Sequence, residues 1–356
     1  MVGQGEMIKI GFAARVYPAT KLAMVTDALI EAGASEAHAL LGTGLSLKEL
    51  HSPATQISLD QLVTGYQNAL RLAPSPSLAY GLGSNIHVSL YGMYGYAILC
   101  STNFRRTMDF AVRYHQLAAP LASISFTETD QDGIWTIEPL LHRQMNAELY
   151  RFIVELQLGT HVSLQRDVMG PAFVPREVCV TYRLGDVELL STLIGCPVRV
   201  EQPANQLIFD AKWLDAGPAL GNRITFSALT EMCDHLLEDM RRRTGIAGRI
   251  REILLQTLAN RPSFAEIAEL LGTTTRTLRR QLRDENASFR QLTDEVCTYI
   301  AMKYLQETAM TNEDIAFALG FSDAANFRHA FRRWTKKTPR EFRLLKSATR
   351  MPQITP

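Results

Sequence analysis

The sequence predicts an α+β domain followed by an all-α domain with two helix-turn-helix motifs joined by a long helix. Three observations predict it. The first is one pattern written twice near the C-terminus: Ile267-Ala268, Leu271-Gly272, Leu278, Leu282, and then Ile315-Ala316, Leu319-Gly320, Phe327, Phe331. Each copy reads as an apolar-periodic helix stopped at Gly, a tight turn, and a second helix with apolar residues four apart. The copies start 48 residues apart, and the second has one extra residue in its turn. The second observation is charge. Residues 241 to 350 hold 21 Lys and Arg against 12 Asp and Glu, whereas residues 1 to 240 hold 16 against 24. The overall net charge of +1 hides that split. A basic module on an acidic one is the balance of a nucleic-acid-binding domain attached to something else. The third observation is the mixture of apolar-periodic and alternating segments confined to residues 1 to 240, which implies helices beside antiparallel strands.

Within that first part, Pro18-Ala19-Thr20 precedes a helical run through Leu22, Val25, Leu29 and Ile30 that stops near Gly33. Helices continue to about residue 73. Pro74-Ser75-Pro76-Ser77 is a turn, followed by an aromatic, Gly-rich segment from Tyr80 to Tyr96. A helix is expected over Phe104 to Leu117. Residues 122 to 139 alternate as a hairpin, with Ile124 and Phe126 before Asp130-Gln131-Asp132-Gly133 and Ile134 to Ile137 after it. A long helix over Asn146 to Val168 follows, then a strand at Val178 to Tyr182. A short helix at Val187 to Ile194 leads to strands near Val198 to Val200 and Leu207 to Phe209. From about Thr225 the chain reads as helical. Arg241-Arg242-Arg243-Thr244-Gly245 marks the junction between a domain at 1–240 and one at 241–350. Its Arg run fits either a solvated helix C-terminus or a phosphate contact.

The helix starts of the second domain are written in capping boxes: Ser263-x-x-Glu266, Ser288-x-x-Gln291, Thr338-Pro339-x-Glu341 and the variant Thr311-x-x-Asp314. Between the two copies a helix from Phe289 to Glu307 is expected. At 1.5 Å per residue it is roughly 30 Å long, close to the ~34 Å turn of B-DNA. Such a rod suits two recognition helices in successive major grooves. The first recognition helix, about Thr274 to Glu285, turns Leu278 and Leu282 inward and displays Thr275, Arg276, Arg279, Arg280 and Arg283. Arg holds guanine O6 and N7 with two bonds and also grips phosphate. Arg276 and Arg280 are the candidate base readers and Arg283 the candidate phosphate contact. The second, about Asp323 to Trp334, turns Phe327, Phe331 and Trp334 inward and displays Ala324, Ala325, Asn326, Arg328, His329, Arg332 and Arg333. Asn pairs with adenine and Ala meets a thymine methyl. His329 is read either as a base contact or as an ordinary surface residue. Lys336 and Lys337 are expected close to the DNA backbone.

The stretch Ile315-Ala316 … Leu319-Gly320-Phe321-Ser322-Asp323 … Asn326-Phe327 … Ala330-Phe331 … Trp334 … Thr338-Pro339 … Phe342-Arg343 resembles the signature of AraC/XylS-type transcription regulators. The likeness covers about Ile246 to Leu345. It implies a two-lobed module of seven helices whose third and sixth enter the major groove of double-stranded DNA. Carried onto this sequence, the base-facing positions are Thr275, Arg276, Arg279, Arg280, Ala325, Asn326, Arg328 and His329. One departure is Lys336, where the family often has a Gly suited to a left-handed helix cap. The first domain is similar to the branch with the larger arabinose-binding-type N-terminal domain, which includes regulators of amino-acid use and virulence. That likeness rests on Leu90-Tyr91-Gly92, Gly95-Tyr96-Ala97, Gly195-Cys196-Pro197-Val198 and Asn205-Gln206-Leu207. The short cupin-like barrel of the arabinose regulator itself is not evident, so no sugar ligand is inferred. The resemblance implies a regulator, usually an activator, controlled by a small-molecule effector and working with RNA polymerase. A homodimer is an open expectation.

Candidate effector residues are His87, Tyr91 and Tyr94, a polar-aromatic cluster, and Arg113-Tyr114 with His115 after them, a source of cation for a carboxylate effector. Each also has a plain reading as packing or as a solvated face. Five scattered Cys without a Cys-x-x-Cys argue against disulfides or zinc. No cofactor, metal cluster, Ser-His-Asp order or phosphate loop is read. No apolar run reaches the ~18 residues of a membrane span, and Met1 to Ile10 carries no secretory pattern. A cytoplasmic protein is therefore expected. Two other functions stay open. One is an enzyme or DNA-repair methyltransferase-like protein, with Cys196 as the thiol to test. The other is a constitutive DNA-binding dimer without effector.

Overall fold

The computed structural model describes residues 12–349 apart from 74, 76, 119, 244, 258–261 and 286. Met1 to Ile10, Pro74, Pro76 and Thr244, read above from sequence, lie outside the described residues. The chain divides into two compact units. One comprises Phe12–Leu140 and Ala147–Met240; the other comprises Leu141–Asn146 and the chain from Arg241 onward.

The first unit opens with a two-stranded ribbon, β1 (Tyr17–Pro18) and β2 (Gln56–Ile57), and the helices α1 (Thr20–Glu31), α2 (Glu36–Ala39), α3 (Leu47–Leu50) and α4 (Leu59–Leu72). The Gly-rich aromatic segment is helical: α5 (Leu78–Ser84), a 3-10 turn at Val88–Tyr91, and α6 (Gly92–Cys100). Next come α7 (Phe104–Tyr114) and a 3-10 turn at His115–Ala118. The hairpin β3 (Ala122–Glu128) and β4 (Asp132–Pro139) pairs antiparallel, with Ile124 opposite Ile137 and Phe126 opposite Trp135. After the long helix α8 (Ala147–Met169) follow β5 (Glu177–Cys179), α9 (Val187–Ile194), β6 (Val198–Arg199) and β7 (Asn205–Asp210). The sheet order is β3-β4-β7-β5-β6, antiparallel except for the β5–β6 edge pair. The strand expected at Val178 to Tyr182 is thus three residues, Glu177–Cys179. Beyond it Thr181 leaves the ladder and bonds a side chain: its amide donates to Asn205 Oδ1 at 3.0 Å.

Strand alternation puts Trp135, Ile137, Leu207 and Val178 in the core. Trp135 there meets His161 of α8 edge to face, at 4.9 Å between ring centroids. Helices α5 and α8 cross at two glycines. A Cβ on Gly83 would stand 2.1 Å from the Leu156 carbonyl, and one on Gly159 2.4 Å from that of Tyr80. Only Gly permits backbones that close. The last helix of this unit, α10 (Arg223–Arg243), ends in the Arg run.

The second unit holds seven described helices: α11 (Gly245–Thr257), α12 (Phe264–Leu270), α13 (Thr275–Asp284), α14 (Phe289–Glu307), α15 (Asn312–Ala318), α16 (Ala324–Thr335) and α17 (Pro339–Thr349). Their shared core contains the apolar residues of both repeats, with Ile267, Leu278, Ile315, Leu319, Phe327 and Phe331 fully buried. Reciprocal capping boxes start α12 (Ser263, Glu266), α15 (Thr311, Asp314) and α17 (Thr338, Glu341). At α14 only half the box forms: Ser288 accepts from the Gln291 amide, while its hydroxyl donates to the Gln291 side-chain oxygen.

Candidate nucleic-acid interface and ligand cavity

The two helix-turn-helix copies close their turns with the same two hydrogen bonds. After α12, the Gly272 amide donates to the Glu269 carbonyl and the Thr273 amide to that of Ala268. After α15, Gly320 donates to Phe317 and Phe321 to Ala316. Both are Schellman caps, and both glycines have the positive φ that the cap requires, 63° and 68°. The next helix then starts on a side-chain cap. Thr274 accepts from the Thr277 amide to begin α13, and Asp323 accepts from the Asn326 amide to begin α16. Hydrogen bonds from the local backbone hold the Asp323 carboxyl below its ordinary range, so it stays ionised.

On these helices the second-domain residues expected to face outward are exposed, Thr275, Arg276, Arg279, Arg280 and Arg283 on α13 and Ala325, Asn326, Arg328, His329, Arg332 and Arg333 on α16, except Ala324, which is buried because it lies one turn before Phe327 on the inward stripe of α16. Several have internal partners. The Arg279 guanidinium lies 5.5 Å from the Phe264 ring centroid, which stiffens the side chain without consuming its N–H groups. The Asn326 amide nitrogen donates to Ser322 Oγ and Asp323 Oδ2, both at 2.8 Å. Its carbonyl oxygen faces no such demand. Arg333 pairs with Asp294 of α14, and an open groove beside it also takes in Arg290, Phe321 and His329.

Lys336 closes α16 in the left-handed region at φ 61°, with its amide donating to the Arg332 carbonyl. The side chain does not change the cap; the helix keeps the Gly-type ending with a β-carbon in it. Lys337 departs from expectation. It is half-buried, and its ammonium donates to the Met145 carbonyl of the same unit at 2.8 Å. Burial holds its pKa below the ordinary lysine value. It is therefore spent on a backbone acceptor instead of standing free for phosphate.

The first unit contains a cavity of about 50 Å³. Of the effector candidates, Tyr91 and Tyr94 line it; His87, Arg113 and Tyr114 do not. His87 is exposed and paired with Asp167 at 2.9 Å. Arg113 and the Tyr114 hydroxyl both bond Asp234 Oδ1, at 3.0 and 2.7 Å, and so brace α7 against α10. His115, named from sequence beside Arg113 and Tyr114, lines it as well, and sequence reasoning missed the rest of the polar lining: Trp135, Gln157, His161 and Gln165. Part of it carried a signal. Gln157, His161 and Gln165 recur at every fourth position of α8, a polar stripe on a face that is buried. His115 and His161 are both neutral. Burial, reinforced by the nearby Lys21, lowers them to about 3 and about 4.

Cys196 is buried, and burial pushes its thiol up to about 11. A thiol so protonated is a poor nucleophile, which counts against the methyltransferase alternative. Among the described residues no group of His, Cys, Asp or Glu could hold a metal, and no helix is long and apolar enough to cross a membrane.

Residues 33–218 match the family described as the arabinose-binding domain of AraC transcription regulator, N-term, and residues 267–344 match a helix-turn-helix domain family. The chain is 27% identical over 335 residues to the ornithine utilization regulator of Pseudomonas aeruginosa, covering 94% of this chain and 98% of that one. It is 30% identical over 272 residues to the transcriptional regulator VqsM of the same species, covering 74% and 82%. Among solved structures it is similar to the transcriptional regulator CdpR of Pseudomonas aeruginosa, at 22% identity and a TM-score of 0.42, over 79% of this chain and 96% of that one.

Proposed function

The chain belongs to the AraC-type transcription regulators, and we propose that it reads double-stranded DNA with Arg276 and Arg280 of α13 and with Asn326 and His329 of α16. It is a DNA-binding regulator controlled by an effector, and its relatives are regulators, not enzymes. The observation that carries the assignment of readers is the pair of identically closed turns, each presenting an exposed polar helix face. Thr275, Arg279, Ala325 and Arg328 complete the base-facing set, and Arg283 and Arg332 hold phosphate. Residues 1–240 form the sensing domain and 241–350 the DNA-binding domain.

In this reading the protein is a cytoplasmic activator that engages RNA polymerase once its effector binds. It works as a homodimer. In support, α10 exposes Ile224, Met232 and Leu236, with Ala228 between them, at a four-residue repeat. A stripe of this kind suits the same stripe of a second copy. An effector that favours one state of the sensing domain shifts the population that binds DNA.

The test is fluorescence anisotropy on DNA upstream of the gene and its neighbours, over a salt series, against random DNA. A specificity ratio above about 10³ is expected. Arg276→Ala and Arg280→Ala should lower that ratio by about tenfold or more each. Arg283→Ala should weaken all DNA alike and flatten the salt slope by about one unit. Equal loss on specific and random DNA for all three variants would refute the assignment of readers.

A further inference from the structure

Among the described residues, the Lys21 amine has no counter-ion. It lies in the first turn of α1 and is 3% exposed. The positive end of the helix dipole opposes it there. None of the described ion pairs includes it; its ammonium instead sits 5.5 Å from the ring centroid of Tyr91, a cavity-lining residue. A buried unpaired ammonium is costly unless a partner arrives.

Lys21 stands behind the Tyr91 ring and outside the lining of the cavity, which is short of partners too. Both amide atoms of Gln165 and the indole Nε1 of Trp135 make no hydrogen bond, although both residues line the cavity and are about 95% buried. His115 Nε2 contacts the Ala122 carbonyl and His161 Nδ1 the Gln157 carbonyl. A carbonyl only accepts, so His115 Nε2 carries its ring proton; His161 Nδ1 also lies 3.1 Å from the Gln157 side-chain nitrogen. The rest of the lining is largely apolar, with Ile98, Met108 and Leu164 among it.

We propose that this cavity binds a short organic carboxylate, whose anionic head pairs with Lys21 and accepts from Trp135 Nε1 and the Gln165 amide while its alkyl body fills the apolar side. The inference rests on the effector-controlled reading above and names the chemical class of the effector. The volume of about 50 Å³ limits the ligand. By the same measure one water needs roughly 10–15 Å³, so about three to five non-hydrogen atoms fit. Anion binding returns a charge to an amine that burial has brought down to about 7. Binding above that pH therefore takes up a proton from solution. The other titratable groups facing the amine, Tyr91, His115 and His161, stay neutral throughout.

The experiment is calorimetric titration of the full-length protein at pH 8.5 with acetate and propionate, and with propionamide and propylamine as uncharged and cationic matches. Two buffers of different ionisation enthalpy report proton exchange. The carboxylates should bind with uptake of nearly one proton, and the amide and the amine should bind at least about tenfold more weakly. Lys21→Met should cost the carboxylates about tenfold or more, the worth of a charge-assisted bond. Carboxylate binding without proton uptake would overturn the assignment of Lys21 even if the variant failed to fold. Equal binding of amide and carboxylate, or no binding of either carboxylate, would overturn the proposal. Anisotropy on upstream DNA is run in parallel: specific DNA binding without carboxylate binding sinks this inference alone, and loss of both sinks the regulator reading with it.

Discussion

Two single residues show how local chemistry decides stability here. Asn205 is fully buried, and its amide joins three elements. Oδ1 accepts from the Thr181 amide, and Nδ2 donates to the Ile137 carbonyl and, at 2.8 Å, to the Tyr150 hydroxyl of α8. Truncation strands several buried polar groups at once, each worth ~1–3 kcal/mol. Asn205→Ala should therefore lower unfolding free energy by about 3 kcal/mol in a urea titration. A loss within ~0.5 kcal/mol would mean that water replaces the amide. Lys336 is the opposite case. A non-Gly residue in the left-handed region costs ~1–2 kcal/mol, and Gly returns part of that gain as chain entropy. Lys336→Gly should stabilise the DNA-binding domain by about 1 kcal/mol, read from the same titration. Destabilisation would show that the lysine side chain repays its backbone strain.

At the scale of elements, what the sequence revealed and what it hid divide along sequence distance. The recognition helices were legible because every signal lies within one turn: the Gly that ends one helix, the Thr274 or Asp323 cap that begins the next, and apolar residues four apart. Helices α9 and α14 were placed residue for residue by such signals, at Val187–Ile194 and Phe289–Glu307. The cavity was not legible. Its walls come from the Val88–Tyr91 turn through α8, and Lys21 comes from α1. The aromatic cluster near Gly92 includes two lining residues, Tyr91 and Tyr94, and the Arg113-Tyr114-His115 run includes one, His115, whereas His87 pairs with Asp167 and Arg113 and Tyr114 with Asp234. No local pattern announces a carboxylate eighty or more residues away. Two buried histidines, one in the 3-10 turn after α7 and one on α8, also give the domain a pH signature. His115 and His161 titrate near 3 and 4 when folded and near 6.5 when unfolded. Below pH 6.5 the unfolded chain binds more protons, so stability falls as pH drops, with a slope of up to ~1.4 kcal/mol per unit for the buried His161. Lys21 acts in the same direction between about 7 and 10.5. Melting temperature should thus rise from pH 4.5 to 6.5, and His161→Gln should flatten that rise. An unchanged slope would mean that the imidazole is solvated.

The whole molecule couples an acidic sensing part to a basic reading part, a split already written in the charge of its two halves. In the proposed reading the effector's chemistry and the DNA readers belong to different compact units and can be altered independently. The two readers are also unlike. Helix α13 displays arginines around Thr275; helix α16 displays Ala325, Asn326 and His329 among its arginines. Joined in one chain, they cannot be exchanged by any rotation of the protein. A single bound chain is an arrow lying on the duplex, with a head and a tail. Palindromy in its operator would come only from a second copy; within one site the bases need no symmetry. Turning that site end for end should leave its affinity unchanged and point the protein away from the promoter, and a reporter gene would then fall silent on DNA that is still fully occupied. A reporter indifferent to the reversal would show that the arrow is never read.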